Sequence, residues 1–362
     1  MYKSNPYGTG PMNPKKNINP HVTAQRNILE TAQQAFNEAT GWETQILEAA
    51  PAGENQPDAV MQIHAPDGKK KTFPVEIKGT LTRATLGFAA EKIRRFEKKG
   101  ILVTRHVTPP MAERLKAMDI AFLDIAGNAY INDPPIYIYI TGRKKVEAPE
   151  KQVIGRAFRP TGLRVVFALL CQPELVKAPY RDIVNATRVA QGTVGWVMQD
   201  LKQQEYLADR GKHGRKLIHA KKLLDVWVEY YARELRPRLV MGRYGTQKKD
   251  WWKTIDWRKT DAALGAEGAA AVLTDYLKPE TITVYAPEDV NPFLLKNRLQ
   301  KDTAGNVAIF KKFWEFEYPW DHKGIAPPLL VYADLIATGN DRNMEAARMI
   351  YEKYIHGFIE TL

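Results

Sequence analysis

The middle of this chain contains its most informative pattern, PYRDIVNATRVAQGTVGWVMQDLKQQEYLADRGKHGRKLIHA, from Pro179 to Ala220. Its first part places a proline at a helix start and sets Tyr180, Ile183 and Val184 on one helical face. The residues RVA then interrupt the pattern. From Gln191 onward, apolar residues return at helical spacing, which predicts a second helix with an inward face. The members of that face are Val194, Val197, Met198 and Leu201.

A hairpin is predicted directly after this second helix, since Gly-Lys-His-Gly separates two short strand-like segments. An apolar helix at Gly162–Leu170 precedes the whole stretch. Three helices followed by a hairpin resemble the winged helix-turn-helix family over about 60 residues. The resemblance implies that the helix from Gln191 enters the major groove of duplex DNA and that the hairpin is the wing. The predicted DNA contacts are Arg188, Gln191, Thr193, Trp196, Gln199, Lys212, His213, Arg215 and Lys216.

The positive charge of the chain is concentrated in the same region. The net charge is +12, and residues 151–250 hold 20 Lys and Arg against 9 Asp and Glu. Residues 1–150 hold 20 against 16, and residues 251–362 hold 13 against 16. A basic segment attracts a polyanion because Lys and Arg near phosphates release condensed counterions. Charge alone also fits a solvated basic face, and a tryptophan such as Trp196 is more often a core or interface residue than a residue that contacts bases. The order of the elements favours double-stranded DNA.

Strand-like and helical segments alternate through residues 21–150, which predicts an α/β domain. Asp58 precedes a strand, and the tetrapeptide VEIK ends the next strand with Glu76 and Lys78 on one face. This pattern is similar to the PD-(D/E)xK signature of the restriction-endonuclease-like superfamily. The resemblance implies a Mg²⁺-dependent nuclease in which Asp58 and Glu76 bind the metal and Lys78 polarises the attacking water or the phosphate. Glu30 or Glu38 on the first helix would add a ligand.

Each part of this motif also has an ordinary structural explanation. An aspartate before a strand commonly caps a turn, and Glu-x-Lys pairs are frequent on strands. The superfamily also contains domains that keep the fold without cleavage. Because the first 150 residues carry little excess positive charge, we expect no cofactor and no metal-dependent cleavage.

The C-terminal third contains a small-residue helix, a strand, a hairpin-like segment at KDTAGNVAIFKKFWEF, and a helical pair broken at Gly339-Asn340 with Asp341 as the expected N-cap. A linker rich in Arg, Lys and Trp precedes it. Together with the predicted winged helix, this region resembles the AbiEi family, the antitoxins of type IV toxin–antitoxin systems. The resemblance is carried by LGAEGAA at 264–270, Asn306-Val307, Phe310, Phe313-Trp314, Val331–Leu335, Asp341–Asn343 and Glu345–Arg348.

The AbiEi resemblance implies a repressor that binds its own promoter and counters a nucleotidyltransferase toxin encoded alongside. About 150 additional residues in front depart from the simplest members of that family. Three functions therefore stay open: a DNA-binding regulator or antitoxin, a Mg²⁺-dependent endonuclease targeted by the winged helix, and a DNA-binding scaffold whose first domain holds a partner.

The expected organisation is a mobile tail at 1–20, a restriction-endonuclease-like α/β domain at 21–150, a winged helix-turn-helix at 151–240 and a mixed α/β AbiEi-like domain at 241–362. No apolar run approaches the roughly 18 residues that span a bilayer, so no membrane partner is expected. The single cysteine, Cys171, lies in the apolar run VVFALLC, and a buried thiol is predicted. These features favour a cytoplasmic protein.

Overall fold

A computed structural model describes residues 20–47, 56–65, 68–81, 83–146, 155–211, 214–248 and 250–362. The tail predicted for residues 1–20 lies outside this part of the chain, apart from Pro20, at which the first helix begins. None of the helices in the described ranges is both long enough and apolar enough to cross a bilayer. Cys171 is buried, as predicted.

A seven-stranded sheet organises the first domain, with one helix on one face and two on the other. The helices are α1 (Pro20–Thr40), α2 (Arg83–Arg94) and α3 (Pro109–Ala117). The strands are β1 (Glu43–Leu47), β2 (Ala59–His64), β3 (Lys70–Lys78), β4 (Ile101–Thr104), β5 (Ala121–Asp124), β6 (Ala129–Asp133) and β7 (Ile136–Ile140). They lie in chain order, with β3, β4 and β5 mutually parallel and the other pairs antiparallel. The prediction of an α/β domain is confirmed.

Hydrophobic patterning explains how this sheet is covered. Strand β2 alternates between buried and half-buried residues, whereas every residue of the central strands β4 and β5 is buried. Central parallel strands are covered on both faces, so such continuous burial is expected of them. Phe36 of α1 packs on one face with Val75 and Ile77, and Leu86 of α2 packs on the other with Phe122.

Three helices and a hairpin follow in the predicted order. They are α4 (Pro160–Cys171), α5 (Tyr180–Thr187), α6 (Gln191–Gln203), β8 (Leu207–Asp209) and β9 (Arg215–Leu217). A long helical segment then runs through α7 (Ala220–Tyr230), a π-helical turn (Tyr231–Leu235) and α8 (Arg236–Leu239). Part of the segment predicted as a linker is therefore helical. Its Trp251 and Trp252 are buried rather than exposed to a ligand.

A second sheet forms the C-terminal region. Its strands are β10 (Val240–Gly245), β11 (Ala263–Gly265), β12 (Ile282–Ala286), β13 (Gln300–Lys301) and β14 (Val307–Lys311). The helices around it are α9 (Ala266–Thr274), α10 (Asn291–Asn297), α11 (Pro328–Thr338), α12 (Asp341–Ile350) and α13 (His356–Thr361), with a π-helical turn at Tyr351–Ile355. The strand order is β11-β12-β14-β10-β13. A mixed α/β C-terminal region is confirmed.

Two local predictions in this region were wrong. Strands β13 and β14 do not form a hairpin, because β10 lies between them and pairs with both. Helix α12 is capped by Asn340 and not by Asp341, since the Asn340 side chain accepts a hydrogen bond from the Arg342 N–H. Gly339 ends the preceding helix with a φ of 60°, a left-handed conformation that glycine adopts without strain.

The middle and C-terminal regions share one hydrophobic core. Phe167 of α4 stacks on Trp227 of α7 at a centroid distance of 5.2 Å and lies 5.1 Å from Phe313. The first domain joins this body through α2, which packs against α11. Gly87 permits this approach, since a Cβ there would lie 2.9 Å from Met344 Sδ and 3.2 Å from the Ile336 carbonyl oxygen.

Candidate nucleic-acid interface and the interdomain charge cluster

The connection between α5 and α6 is a tight turn at Arg188. This residue has a φ of 54°, and its N–H donates to the Val184 carbonyl at 2.8 Å, which ends α5. Val189 is buried next to it, and α6 begins at Gln191. The predicted inward face of α6 is confirmed, because all four of its members are at most 2% exposed: Val194, Val197, Met198 and Leu201.

The outer face of α6 presents the predicted contact residues. Gln191 and Gln199 are exposed, and Thr193 is half-buried. Trp196 is 54% exposed, and the Arg156 guanidinium lies 4.1 Å from the centroid of its ring. The core does not need this tryptophan, because its side chain is largely exposed and the apolar face of the helix is complete without it.

The two described cations of the predicted wing have different environments. Arg215 donates to the Ala178 carbonyl at 2.5 Å and lies over the Tyr180 ring at 4.9 Å, so it ties β9 to the start of α5. Lys216 is exposed and lines a cleft on the side of the first domain. Lys212 and His213, also predicted as DNA contacts, lie outside the described residues.

The α5–α6 turn is attached to the C-terminal region. Arg188, with a side chain that is 72% exposed, lies 3.5 Å from the Glu315 carboxylate. The backbone N–H of Glu315 donates to the Ala186 carbonyl at 3.0 Å. Arg164 of α4 donates to the Thr187 carbonyl at 2.7 Å. Contacts from α4 and from the C-terminal region therefore both hold the turn that orients α6.

The predicted nuclease residues converge, but in an ion cluster. The N–H of Ile77 donates to Asp58 Oδ2 at 2.8 Å, which fixes Asp58 beside β3. Lys78 Nζ lies 3.0 Å from Glu76 Oε1, and Lys92 Nζ lies 2.5 Å from Glu76 Oε2 and 3.9 Å from Asp58 Oδ1. Lys78 also pairs with Glu229 of α7 at 3.3 Å. This interdomain charge cluster (Asp58, Glu76, Lys78, Lys92 and Glu229) links the first sheet to α7.

Charge compensation sets the protonation of the cluster. Burial raises the pKa of Asp58, but Lys92, Lys78 and the Ile77 N–H together hold that pKa below its ordinary value. The pKa of Glu76 is raised, because burial and the neighbouring Asp58 outweigh the two lysines. Burial lowers the pKa of Lys78 and Lys92, yet the carboxylates around them hold both pKa values above the ordinary one. Both ammonium groups are therefore charged at neutral pH.

The donor set does not fit a resident Mg²⁺ ion. Glu76 is fully buried, and both of its carboxylate oxygens already contact ammonium groups. The Lys92 ammonium lies between Asp58 and Glu76, where a shared metal would have to bind. Within the described ranges, no three His, Cys, Asp or Glu side chains are grouped as metal ligands. Hard divalent cations need several oxygen ligands, and two neutralised carboxylates do not supply them.

A cleft of about 980 Å³ lies beside the cluster. Glu30 and Asp58 line one wall, and the opposite wall is formed by the hairpin and the first turn of α7. Glu30 and Glu38 are both exposed. Glu30 pairs with Arg26 at 2.9 Å and lines the cleft, whereas Glu38 accepts a hydrogen bond from Gln34 and is not part of the lining. Of the two alternatives on α1, Glu30 is the one that shares a space with Asp58.

The sequence reasoning missed Lys92 and Glu229 as members of the cluster. A signal was available, because Lys92 lies three residues after Ala89, on the apolar side of α2. Glu229 lies between apolar residues of α7 and is itself only 8% exposed. A charged residue inside an apolar stripe usually has a buried partner.

The motifs that carry the AbiEi resemblance form two buried polar networks. Asp334, which is fully buried, accepts hydrogen bonds from Tyr231 at 2.8 Å, Tyr285 at 2.6 Å and Arg236 at 2.9 Å.

In the second network, Glu267 of α9 accepts from Arg342 at 3.0 Å and from Asn343 at 2.8 Å. Glu267 also accepts from the Glu280 N–H at 2.6 Å. These motif residues hold the C-terminal fold together.

Comparison with known proteins supports the C-terminal half of the resemblance. Residues 216–356 match a family model described as "Transcriptional regulator, AbiEi antitoxin, Type IV TA system". This segment is therefore similar to AbiEi-type regulator and antitoxin domains. The match begins in β9, so α5, α6 and the first domain lie in front of it. Searches among curated proteins and among solved structures found no match to the chain.

Proposed function

We propose that the protein is a sequence-specific double-stranded DNA-binding regulator, an autorepressor and antitoxin of the AbiEi type, and that its middle region acts as a winged helix-turn-helix. One observation carries the proposal. Helix α6 buries a complete apolar face and leaves Gln191, Trp196 and Gln199 exposed, directly before a domain similar to transcriptional regulators.

The exposed groups suit DNA. Glutamine side chains donate and accept hydrogen bonds together, which is what base edges in the major groove require. Arg156 and Arg188 lie beside them and supply cations near the phosphates. Phosphate contacts position the protein, while contacts to bases give the sequence preference.

The test is a gel-shift titration with the DNA upstream of the protein's own reading frame and an unrelated fragment of equal length. Gln191→Ala/Gln199→Ala should reduce the preference for the upstream DNA at least tenfold, since a good base contact contributes about 1–3 kcal/mol of discrimination. Gln203→Ala, at the last residue of the same helix, is the matched control and should leave the preference intact. Equal loss in both variants, or no preference in the wild type, would refute the proposal.

The proposal includes a protein partner, a nucleotidyltransferase-type toxin. Support comes from the antitoxin description of the family matched by residues 216–356. Co-expression with the adjacent reading frame should restore growth if that frame encodes such a toxin. Growth arrest that the wild-type protein leaves unchanged would remove the antitoxin part and keep the regulator part.

A Mg²⁺-dependent endonuclease targeted by α6 is the second candidate. The convergence of Asp58, Glu76 and Lys78 beside an open cleft favours it, and the Lys92 ammonium between the carboxylates opposes it. Plasmid and linear DNA incubated with the protein and Mg²⁺ or Mn²⁺ should stay intact. Cleavage that disappears in both Asp58→Ala and Lys78→Ala would replace the regulator with a nuclease.

A further inference from the structure

We propose that the cleft between the β8–β9 hairpin and the first domain is a phosphate-binding site, through which a duplex held by α6 continues along the first domain. This inference rests on the proposed DNA-binding function and extends it to a surface that the family match does not include. It concerns the phosphodiester backbone and no particular base sequence.

The position of the cleft is the first support. Lys216, on β9, lines it, so the cleft opens directly beside the predicted wing. Arg210, at the end of β8, and Lys222, in the first turn of α7, line the same wall. Lys222 is close enough to the opposite wall to contribute, after Lys92 and Lys78, to the lowered pKa of Asp58. A strand passing through would lie within reach of both domains.

The charge balance of the lining is the second support. Each carboxylate side chain there has a cationic or imidazole partner: Glu30 with Arg26, Asp58 with Lys92, Asp225 with Lys221, and Glu360 with His356. Arg210, Lys216 and Lys222 are exposed and form no ion pair with any residue that the structure describes. Three cations that form no ion pair give this wall an excess of positive charge, which attracts phosphates.

The shape of the cleft favours a polymer over a small ligand. Pockets for small molecules bury most of the ligand and orient it with a few convergent polar groups. Here the cations are exposed and distributed over a hairpin and a helix. Such an arrangement suits the repeated charges of a nucleic-acid backbone, which carries about one negative charge per 1.7 Å of duplex.

The test compares two mixed-sequence fluorescent duplexes by anisotropy over a salt series. A duplex of about 12 base pairs covers little more than the one turn that α6 engages, and one of about 30 base pairs also reaches the cleft. Arg210→Ala/Lys222→Ala should weaken binding of the long duplex at least fivefold at low salt. The slope of log Kd against log salt should fall by about 1.8, since each lost phosphate contact removes about 0.9. Binding of the short duplex should change less than twofold.

Lys296→Ala/Lys301→Ala is the matched control, because it removes two exposed cations that do not line the cleft. It should leave both duplexes unaffected, and circular dichroism should show both double variants folded. An equal effect of Arg210→Ala/Lys222→Ala on both duplexes, or on neither, overturns the cleft assignment alone. Wild-type protein that binds neither duplex overturns the proposed function as well. ATP binding that depends on Arg210 and Lys222 while duplex affinity stays unchanged assigns the cleft to a free nucleotide and refutes the duplex proposal.

Discussion

Replacing Lys92 with methionine tests the interdomain charge cluster directly. Methionine keeps most of the apolar stem of lysine and removes the ammonium that lies 2.5 Å from Glu76 Oε2 and 3.9 Å from Asp58 Oδ1. Glu76 is fully buried, so its carboxylate would keep only the contact to Lys78 at 3.0 Å. Removing one partner of a buried pair costs about 3–5 kcal/mol, because the remaining charge is left without compensation.

The surviving Lys78 places the expected loss at the lower end of that range, at about 3 kcal/mol of unfolding free energy. Urea unfolding followed by both tryptophan fluorescence and circular dichroism measures it. With a slope of about 3 kcal/mol per molar urea, the midpoint should fall by about 1 M. Adding Glu76→Gln to Lys92→Met should recover part of the loss, since the uncompensated charge is then gone.

Arg94→Met is the control, because Arg94 is exposed near the end of the same helix. It should change stability by no more than about 0.5 kcal/mol, as surface substitutions usually do. If Lys92→Met behaves like Arg94→Met, the ion pairs of the cluster contribute nothing to stability and the reasoning about Glu76 is wrong. A double variant that is less stable than Lys92→Met would contradict the role given to the Glu76 charge.

Three further outcomes are expected. Gly87→Ala should lower stability by about 1–3 kcal/mol in urea unfolding, because its Cβ would lie 2.9 Å from Met344 Sδ and 3.2 Å from the Ile336 carbonyl oxygen. An unchanged urea midpoint would show that α2 and α11 move apart at no cost in stability. Trp196→Ala should weaken duplex binding at least fivefold in the gel shift. It should leave the midpoint of thermal unfolding within 2 °C, roughly the change that surface substitutions give, since the ring is 54% exposed. A large drop in this midpoint would show that the ring contributes to folding. Asp58→Asn should cost stability above about pH 5, because a pKa that is lowered in the folded state stabilises only the ionised form. The difference from wild type should shrink as the pH falls below the ordinary pKa of about 3.9 and vanish only below the lower pKa of the folded state. A difference that grows in acid would reverse the sign assigned to Asp58.

Local patterns predicted the elements that depend on local physics. The spacing of Val194, Val197, Met198 and Leu201 fixed the buried side of α6, because a helix repeats every 3.6 residues wherever it packs. The two-residue spacing of Glu76 and Lys78 placed both side chains on one face of their strand. In each case neighbouring residues in the chain are also neighbours in space.

Long-range pairings were not available from such patterns. The segment containing β13 and β14 resembles a hairpin locally, yet β10, more than 50 residues earlier, lies between the two strands. Lys92 and Glu229 belong to elements that come into contact only in the folded protein. The local sequence around either residue does not indicate its partner. The Asn340 cap was missed because Asn340 and Asp341 are equally good capping residues in sequence terms.

The close approach at Gly87 and the contact between Lys78 and Glu229 also have a consequence for synthesis of the chain. Glu76 and Lys78 leave the ribosome about 150 residues before Glu229, and α2 about 230 residues before α11. At a translation rate of about 5–20 residues per second, roughly 10 to 50 s pass between the synthesis of α2 and that of the surface that covers it. During that interval a charged cluster and an uncovered helix face are exposed to chaperones. A nascent chain stalled before α11 should therefore be a stronger chaperone client than the finished protein.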